Sequence, residues 1–214
     1  EPVQGEGGVN RVDPDFMANV ARLCKENGTL LIFDEVQTGF CRLGAMFGAD
    51  LYGVQPDMMT MAKGIACGFP FGGFAVSDAV ADKIEYGDHG GTYCGNPLGC
   101  AVARAVIQYM IDHNVADHVV RLGEQLQKRL LASQKRYEGR ISDVRGMGLL
   151  RALDFQSEAD ALAVFQGCLD HGLLLNLTQG SIIRFFPSLL ISSEEMDEGV
   201  QIFESVLESV LVSA

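Results

Sequence analysis

Two rhythms of apolar residues open the chain. Between Asp13 and Gly28, the residues Phe16, Val20, Leu23 and Cys24 recur at helical spacing and fall on one face. Asp13 offers an N-cap, Pro14 fits the first turn and Gly28 supplies a terminator, so this segment predicts a helix. The run TLLIF that follows is apolar without alternation and ends at Asp34, the pattern of a buried parallel strand. Helix followed by strand predicts an α/β sheet, whose ligands gather at the carboxyl ends of the strands.

Carried onward, the same reading predicts strands at Met58–Met61 and Gly73–Val76. A helix over 96–113, opened by Asn96 and Pro97, follows, and then an amphipathic helix over 116–137. Beyond it the order changes: a strand over 146–155, a helix over Glu158–Asp170, and strands over 173–176 and 182–186. The last helix begins at Ser192, with Glu195 as capping-box partner, and turns Met196, Val200, Phe203, Leu207 and Val210 inward. Short mixed strands with helices on one side predict a second, smaller α+β domain. The expected division is 1–115 for part of a large sheet domain and 116–214 for the small one.

Composition then narrows the partners. Of 214 residues 48% are hydrophobic and 21% charged, the balance of a folded globular protein. A net charge of -12 without any basic stretch argues against nucleic acid and anionic membrane. No apolar run approaches the roughly 20 residues of a membrane helix, and no stretch of the given sequence, which begins at Glu1 without methionine, reads as a signal peptide. Cys24, Cys41, Cys67, Cys94, Cys100 and Cys168 form no CxxC pair and lie mostly in apolar segments. They read as structural thiols of a reducing cytoplasm, with no metal site expected.

Candidate chemistry centres on Lys63 and Asp34. Lys63 lies in TMAKGIACGFPFGG, where Met58, Met59, Met61, Ala62, Ile65, Ala66 and Cys67 leave it the only charge in its stretch. A desolvated lysine has a lowered pKa and becomes a nucleophile toward a carbonyl, although a solvated surface lysine is the plainer alternative. Glycines 64, 68, 72 and 73 would let backbone approach a flat ligand. Asp34, at a strand end, could cap a turn, could belong to a Walker B motif, or could hold positive charge on a ring nitrogen. The Walker B reading lacks its GxxxxGK[ST] loop. A lysine able to form an imine and a carboxylate for a pyridinium nitrogen are the two groups that pyridoxal phosphate needs most.

Thr92, within GDHGGTYCGNPLGCAVA, stands among glycines just ahead of a predicted helix N-terminus, a plausible phosphate cradle or a plain turn. His89 nearby reads as structural. Arg184, between isoleucines and phenylalanines in SIIRFFPSLL, needs a carboxylate partner, either an internal one such as Glu6 or an incoming substrate.

With these segments assembled, the chain resembles the class III, or ω-amino acid, aminotransferases of pyridoxal phosphate fold type I. It is most similar to their acetylornithine and ornithine branch. EPVQGEGGV, LLIFDEVQTGFCRLG, PDMMTMAKG, GFPFGG, HGGTYCGNPLGCAVA, VRGMGLL and IIRFFPSLLIS occur in the family's order, and the resemblance covers essentially the whole chain. It implies an α/β fold: the second half of the large mixed-sheet domain plus the small C-terminal α+β domain. It implies pyridoxal 5'-phosphate as cofactor and a cytoplasmic homodimer with shared active sites.

By that resemblance Lys63 would be the imine-forming lysine and the base that moves the proton. Asp34 would pair with the pyridinium nitrogen, Val36 would pack on one ring face and Gln37 would reach the phenolic oxygen. Thr92 would bind the phosphate of the neighbouring subunit. Arg184 would clamp the substrate α-carboxylate, with Glu6 as a gate that pairs with it or swings away. The implied reaction moves an ω-amino group from N-acetylornithine or ornithine to 2-oxoglutarate, giving a semialdehyde and glutamate, as in arginine biosynthesis. Alternatives are a 4-aminobutyrate or diamine aminotransferase and, in another class, a non-catalytic scaffold half. Two departures stand out. The family usually begins well upstream of Glu1, so the chain looks like the second half of such an enzyme. Gly91 stands where acetylornithine-type enzymes usually carry serine.

Overall fold

The computed structural model describes residues 1–212. The chain divides into two compact units, one of Glu1–Pro2 and Val12–Ala116, the other of Val3–Arg11 and Asp117–Ala214.

In the first unit, α1 (Pro14–Asn27) is opened by Asp13, whose Oδ1 accepts from the amides of Asp15 and Phe16 at 2.9 and 3.0 Å. Gly28 closes it in the left-handed conformation at φ 64°. β1 (Ile32–Asp34), α2 (Gly48–Tyr52) and β2 (Met58–Met61) follow, then a 3₁₀ turn at Lys63–Ala66, β3 (Gly73–Val76), α3 (Asp78–Ala81) and α4 (Pro97–Asp112). The strands form a three-stranded sheet in the order β1-β2-β3. β1 runs parallel to β2 with Asp34 opposite Thr60, and β3 is antiparallel to β2.

The core of this unit corrects the sequence pattern. Phe16 and Leu23 are exposed, and α1 instead buries Met17 against Phe33 and Ala49. β1 is not buried on both faces either: Phe33 points into that cluster, while Ile32 on the other face is 54% exposed. Alternation of side chains sends neighbours to opposite faces, and among the described residues only one face is covered.

The second unit begins its helical frame with α5 (Val115–Arg136). Its sheet contains β4 (Ile141–Met147), β5 (Leu150–Phe155), β6 (Asn176–Thr178) and β7 (Ile182–Phe185), with α6 (Glu158–Asp170) and α7 (Ser193–Val212) interspersed in the chain. All pairings are antiparallel, in the order β4-β5-β7-β6. The strand expected over 146–155 is two strands, because Gly148 at φ 51° turns the chain between Met147 and Leu150. A Cβ at Gly123 of α5 would sit 2.3 Å from the Gly148 carbonyl oxygen, so the helix backbone lies directly on this turn. The run 173–175 is irregular, and the strand expected there starts only at Asn176.

α7 opens with the expected capping box. The Ser192 amide donates to Glu195 Oε2 at 2.8 Å and the Glu195 amide to Ser192 Oγ at 3.1 Å. Its buried face uses Val206 and Leu211, with Val210 at the margin. Leu122, Leu126, Leu130, Leu150, Leu153, Ile183, Phe203 and Leu207 are all fully buried, giving this unit a closed core. Residues 3–11 join it as a loop whose ends meet, with Val3 bridged to Arg11 and the Gln4 amide bonded to the Asn10 carbonyl at 2.9 Å.

Candidate active site

Asp34 ends β1, and its Oδ1 accepts the Val36 amide at 3.0 Å, fixing the first bend of the DEVQTG turn. The residue that locks this turn is one the sequence did not advertise. Glu35 is fully buried; its Oε1 accepts the Ala49 amide at 2.8 Å and its Oε2 takes a short hydrogen bond from Thr38 Oγ1. A buried carboxylate is tolerated because these donors replace water. With Glu35 turned inward, Asp34 faces outward and exposed, and Val36 and Gln37 are half-buried in the turn.

Lys63 follows β2 by two residues, so it and Asp34 come at the carboxyl ends of neighbouring parallel strands. It holds φ 46°, a left-handed conformation unusual for a residue with a Cβ and of the kind that clusters at functional positions. Within the described residues the Lys63 side chain is exposed. The neighbouring glycines divide differently from expectation. A Cβ at Gly64 would come 2.9 Å from Phe40 Cβ, and one at Gly72 would come 3.2 Å from the Met61 carbonyl oxygen, so protein itself demands these two. Gly68 is required by φ 100°, and only Gly73 faces open space without such a constraint.

Thr92 is exposed in the turn that precedes α4. Asn96 caps that helix by accepting the Gly99 amide at 2.7 Å, and α4 packs on the 3₁₀ turn begun by Lys63. A Cβ at Gly99 would lie 2.4 Å from Phe71 Cδ2, which fits the glycine of PLGCAVA to the aromatic of GFPFGG. A Cβ at Gly91 would fall 3.0 Å from Cys94 Sγ, so a side chain there would need the exposed thiol to shift. His89 lies edge-on to Phe74 at 4.9 Å, with Nε2 3.9 Å from Cys94 Sγ. Cys67, Cys94 and Cys100 are exposed, so only Cys41 and Cys168 match the buried, structural thiols expected.

The second unit brings Glu6 and Arg184 together. Arg184 Nη1 donates to Glu6 Oε1 at 2.7 Å and to the Gly5 carbonyl at 3.0 Å. The pair is lopsided: the Arg184 side chain is 10% exposed and that of Glu6 69%. Arg184 Nε is buried without a hydrogen-bond partner, so the guanidinium retains a donor that its protein surroundings leave unsatisfied. The loop that carries Glu6 is held by its carbonyls. Thr178 Oγ1 and Gln179 Nε2 donate to the Glu6 oxygen at 3.0 and 2.8 Å, and Arg145 Nε donates to the Gly8 oxygen at 2.8 Å. Pairing of Glu6 and Arg184 was among the options legible in sequence; the clamp formed by Thr178, Gln179 and Arg145 was not, since hydrogen bonds to main chain leave no motif.

Among the described residues no group of metal-ligating side chains is assembled, and no helix is long and apolar enough to cross a membrane. The first unit carries an amine, a strand-end carboxylate, an amide and a hydroxyl before a helix, residue types that suit a phosphorylated pyridinium.

Comparison with known proteins agrees with this chemistry. The family model for Aminotransferase class-III matches residues 1–207. The chain is 42% identical over 202 residues to the acetylornithine aminotransferase of Archaeoglobus fulgidus, covering 94% of this chain and 51% of that protein. It is 40% identical over 210 residues to the [LysW]-aminoadipate semialdehyde transaminase of Deinococcus radiodurans, covering 98% of this chain and 48% of that protein. Its fold matches the ornithine aminotransferase of Toxoplasma gondii ME49 with a TM-score of 0.94 at 34% identity, over 100% of this chain and 51% of that structure. The chain thus spans about half the length of the relatives it matches. Its fold is that of the pyridoxal phosphate-dependent aminotransferases, and the chain belongs to the class III aminotransferase family.

Proposed function

We propose that the protein carrying this chain transfers an ω-amino group from an N-acetylornithine- or ornithine-type donor to 2-oxoglutarate, yielding a semialdehyde and glutamate. When bound, pyridoxal phosphate supplies the carbonyl that accepts the amine and the electron sink for the proton shift. In this reading Lys63 Nζ would hold the cofactor and move the proton, Asp34 would hold the positive charge of the ring nitrogen, Gln37 would donate to the phenolic oxygen, and Val36 would support one ring face. The Thr92 hydroxyl binds phosphate for a second copy of the chain, so the working form is a homodimer, and a cytoplasmic one.

The Glu6–Arg184 ion pair carries the choice of substrate class. An aminotransferase that alternates between an ω-amine and a keto diacid meets two opposite demands at one arginine. A bare guanidinium attracts the α-carboxylate of any amino acid and favours the wrong amino group. A guanidinium neutralised by Glu6 lets the ω-end enter, and removal of Glu6 readmits the diacid. The exposure of the two partners suits that exchange: the Glu6 side chain already faces water, whereas Arg184 is largely buried and also bonds the Gly5 carbonyl.

The test compares kcat/KM for the ω-amine and for glutamate in the full-length protein and its Glu6→Ala variant. With Arg184 permanently uncovered, glutamate should gain on the ω-amine by about tenfold, or about 1.4 kcal/mol of differential transition-state binding. Equal slowing of both half-reactions with an unchanged preference would reduce Glu6 to a structural partner and remove the reading.

A further inference from the structure

Two turns leave the carboxyl edge of the first unit's sheet, one following Asp34 and one beginning at Lys63. The Glu35 amide still bonds the Thr60 oxygen of the neighbouring strand at 3.0 Å; past that bond the two chains meet again at Phe40 and Gly64. A Cβ on Gly64 would come 2.9 Å from Phe40 Cβ and 3.5 Å from both its Cγ and its Cδ2. The main chain of Gly64 therefore lies flat on the Phe40 side chain. Its φ is outside the left-handed region, so the contact, and not the backbone, calls for glycine there. Phe40 cannot swing aside as the tip of a long side chain would, because the nearest atom is its own Cβ.

Both sides of the contact are anchored. Phe40 is fully buried and lies edge-on to Phe47, with ring centroids 5.4 Å apart. The turn that carries it is tied by the Gly39 amide to the Glu35 oxygen at 3.0 Å, and Glu35 in turn holds the Ala49 amide. Opposite, the Ile65 amide bonds the Ala62 oxygen at 3.1 Å, and Ile65 and Ala66 are buried, while Lys63 beside them is exposed. Packing of this kind resists displacement, because a close-packed neighbour transmits any shift.

We propose that Phe40 is a positioning residue for Lys63: through Gly64 it seats the turn that begins at Lys63 on the turn that carries Asp34, Val36 and Gln37. The inference rests on the cofactor reading given above. In that reading one turn holds the ring and the other supplies the amine, which condenses with the ring's carbonyl with loss of water. The bond forms only if the amine reaches the carbonyl of a ring already held by the other turn, so the offset between the turns matters as much as either turn alone. Phe40 sets that offset. It belongs to the ring-holding turn and touches the residue next to the lysine.

Two ligands separate positioning from simple support of the unit: pyridoxal phosphate, and deoxypyridoxine phosphate, the same ring with a methyl in place of the carbonyl. Their Kd values are measured by titration of cofactor-stripped full-length protein and of its Phe40→Leu and Gly64→Ala variants, which alter the contact from either side. Positioning predicts that both variants weaken pyridoxal phosphate by about tenfold and leave deoxypyridoxine phosphate within about twofold, since only the first needs the lysine in place. It also predicts that Phe40→Leu adds nothing once Lys63→Ala is present, since both act through one amine. Equal weakening of both ligands, or no weakening of either, would overturn the role and leave the Lys63 reading standing. So would a further loss on the Lys63→Ala background, or failure of both variants to show a cooperative thermal transition, which would assign the contact to the core alone. If Lys63→Ala itself left the preference for the carbonyl ligand unchanged, the Lys63 reading would fall and this inference with it.

Discussion

The two units keep their polar chemistry in opposite conditions. In the second, Arg184 sits on a strand whose isoleucine and phenylalanine neighbours are buried, and its carboxylate partner, the loop that carries it and the clamps on that loop all come from the same unit. In the first, Asp34, Lys63 and Thr92 are all exposed, on a sheet whose β3 residues are open or only half-covered. The Glu6–Arg184 pair is therefore held by packing within its own unit. In the first unit the main-chain geometry is set by the buried Glu35 and the left-handed Lys63, while Asp34, Lys63 and Thr92 are exposed within this chain. Rigid backbone beneath uncommitted side chains suits a site completed by a large flat ligand. A ready-made ion pair suits a switch.

If that contrast is right, damage to the first unit abolishes chemistry and damage to the second redirects it. The largest effect belongs to Lys63→Ala, which should lower transamination by more than about a thousandfold in full-length protein, since the proposed reading gives the bond to the cofactor to Lys63. Turnover above that level would break the comparison at its first term. Asp34→Asn comes next: a neutral amide cannot hold the ring nitrogen charged, and kcat should fall about a hundredfold with donor preference intact. A changed preference instead would move Asp34 to substrate sorting.

Arg184→Ala should cost less and act selectively. Loss of a carboxylate clamp should weaken kcat/KM for 2-oxoglutarate by about tenfold or more while simple diamines suffer less. The variant leaves Glu6 largely in water, so it strands no buried charge, and stopped turnover with every substrate would blur the division between the units.

Much of this division was legible in the sequence because it rests on local rules. Asp13, Asn96 and the Ser192–Glu195 box each cap the helix their residue types announce. The apolar run at Met58–Met61 forms a strand as its pattern implies, and the one expected over 182–186 forms a strand that ends one residue earlier, at Phe185. Failures came where a tertiary neighbour decides. Met17, not Phe16 or Leu23, became the buried face of α1 because Phe33 and Ala49 lie on that side. Gly64 serves Phe40, a contact between segments that no spacing reveals. Glu35, adjacent to the aspartate that drew attention, turned out to be the buried carboxylate because alternation beyond the strand sends it inward.

The smallest effect expected is at Cys168. Burial pushes its thiol up to about 11. A raised folded pKa means that the thiol's contribution to stability is complete below the ordinary value of 9.0 and is lost as pH rises through about 11. At pH 8, then, Cys168 should resist alkylation in native protein while exposed Cys67, Cys94 and Cys100 react. Rapid labelling of Cys168 would show that the core of the second unit opens easily, against the closed packing that makes its gate preorganised.

The central claim, the proposal that Lys63 bonds the cofactor, is tested most directly by borohydride reduction of the full-length protein saturated with pyridoxal phosphate, followed by peptide mapping. The account predicts a visible absorption band that reduction bleaches, and a single phosphopyridoxyl addition on the peptide containing Lys63. Addition on a different lysine, or none after saturation, would contradict it.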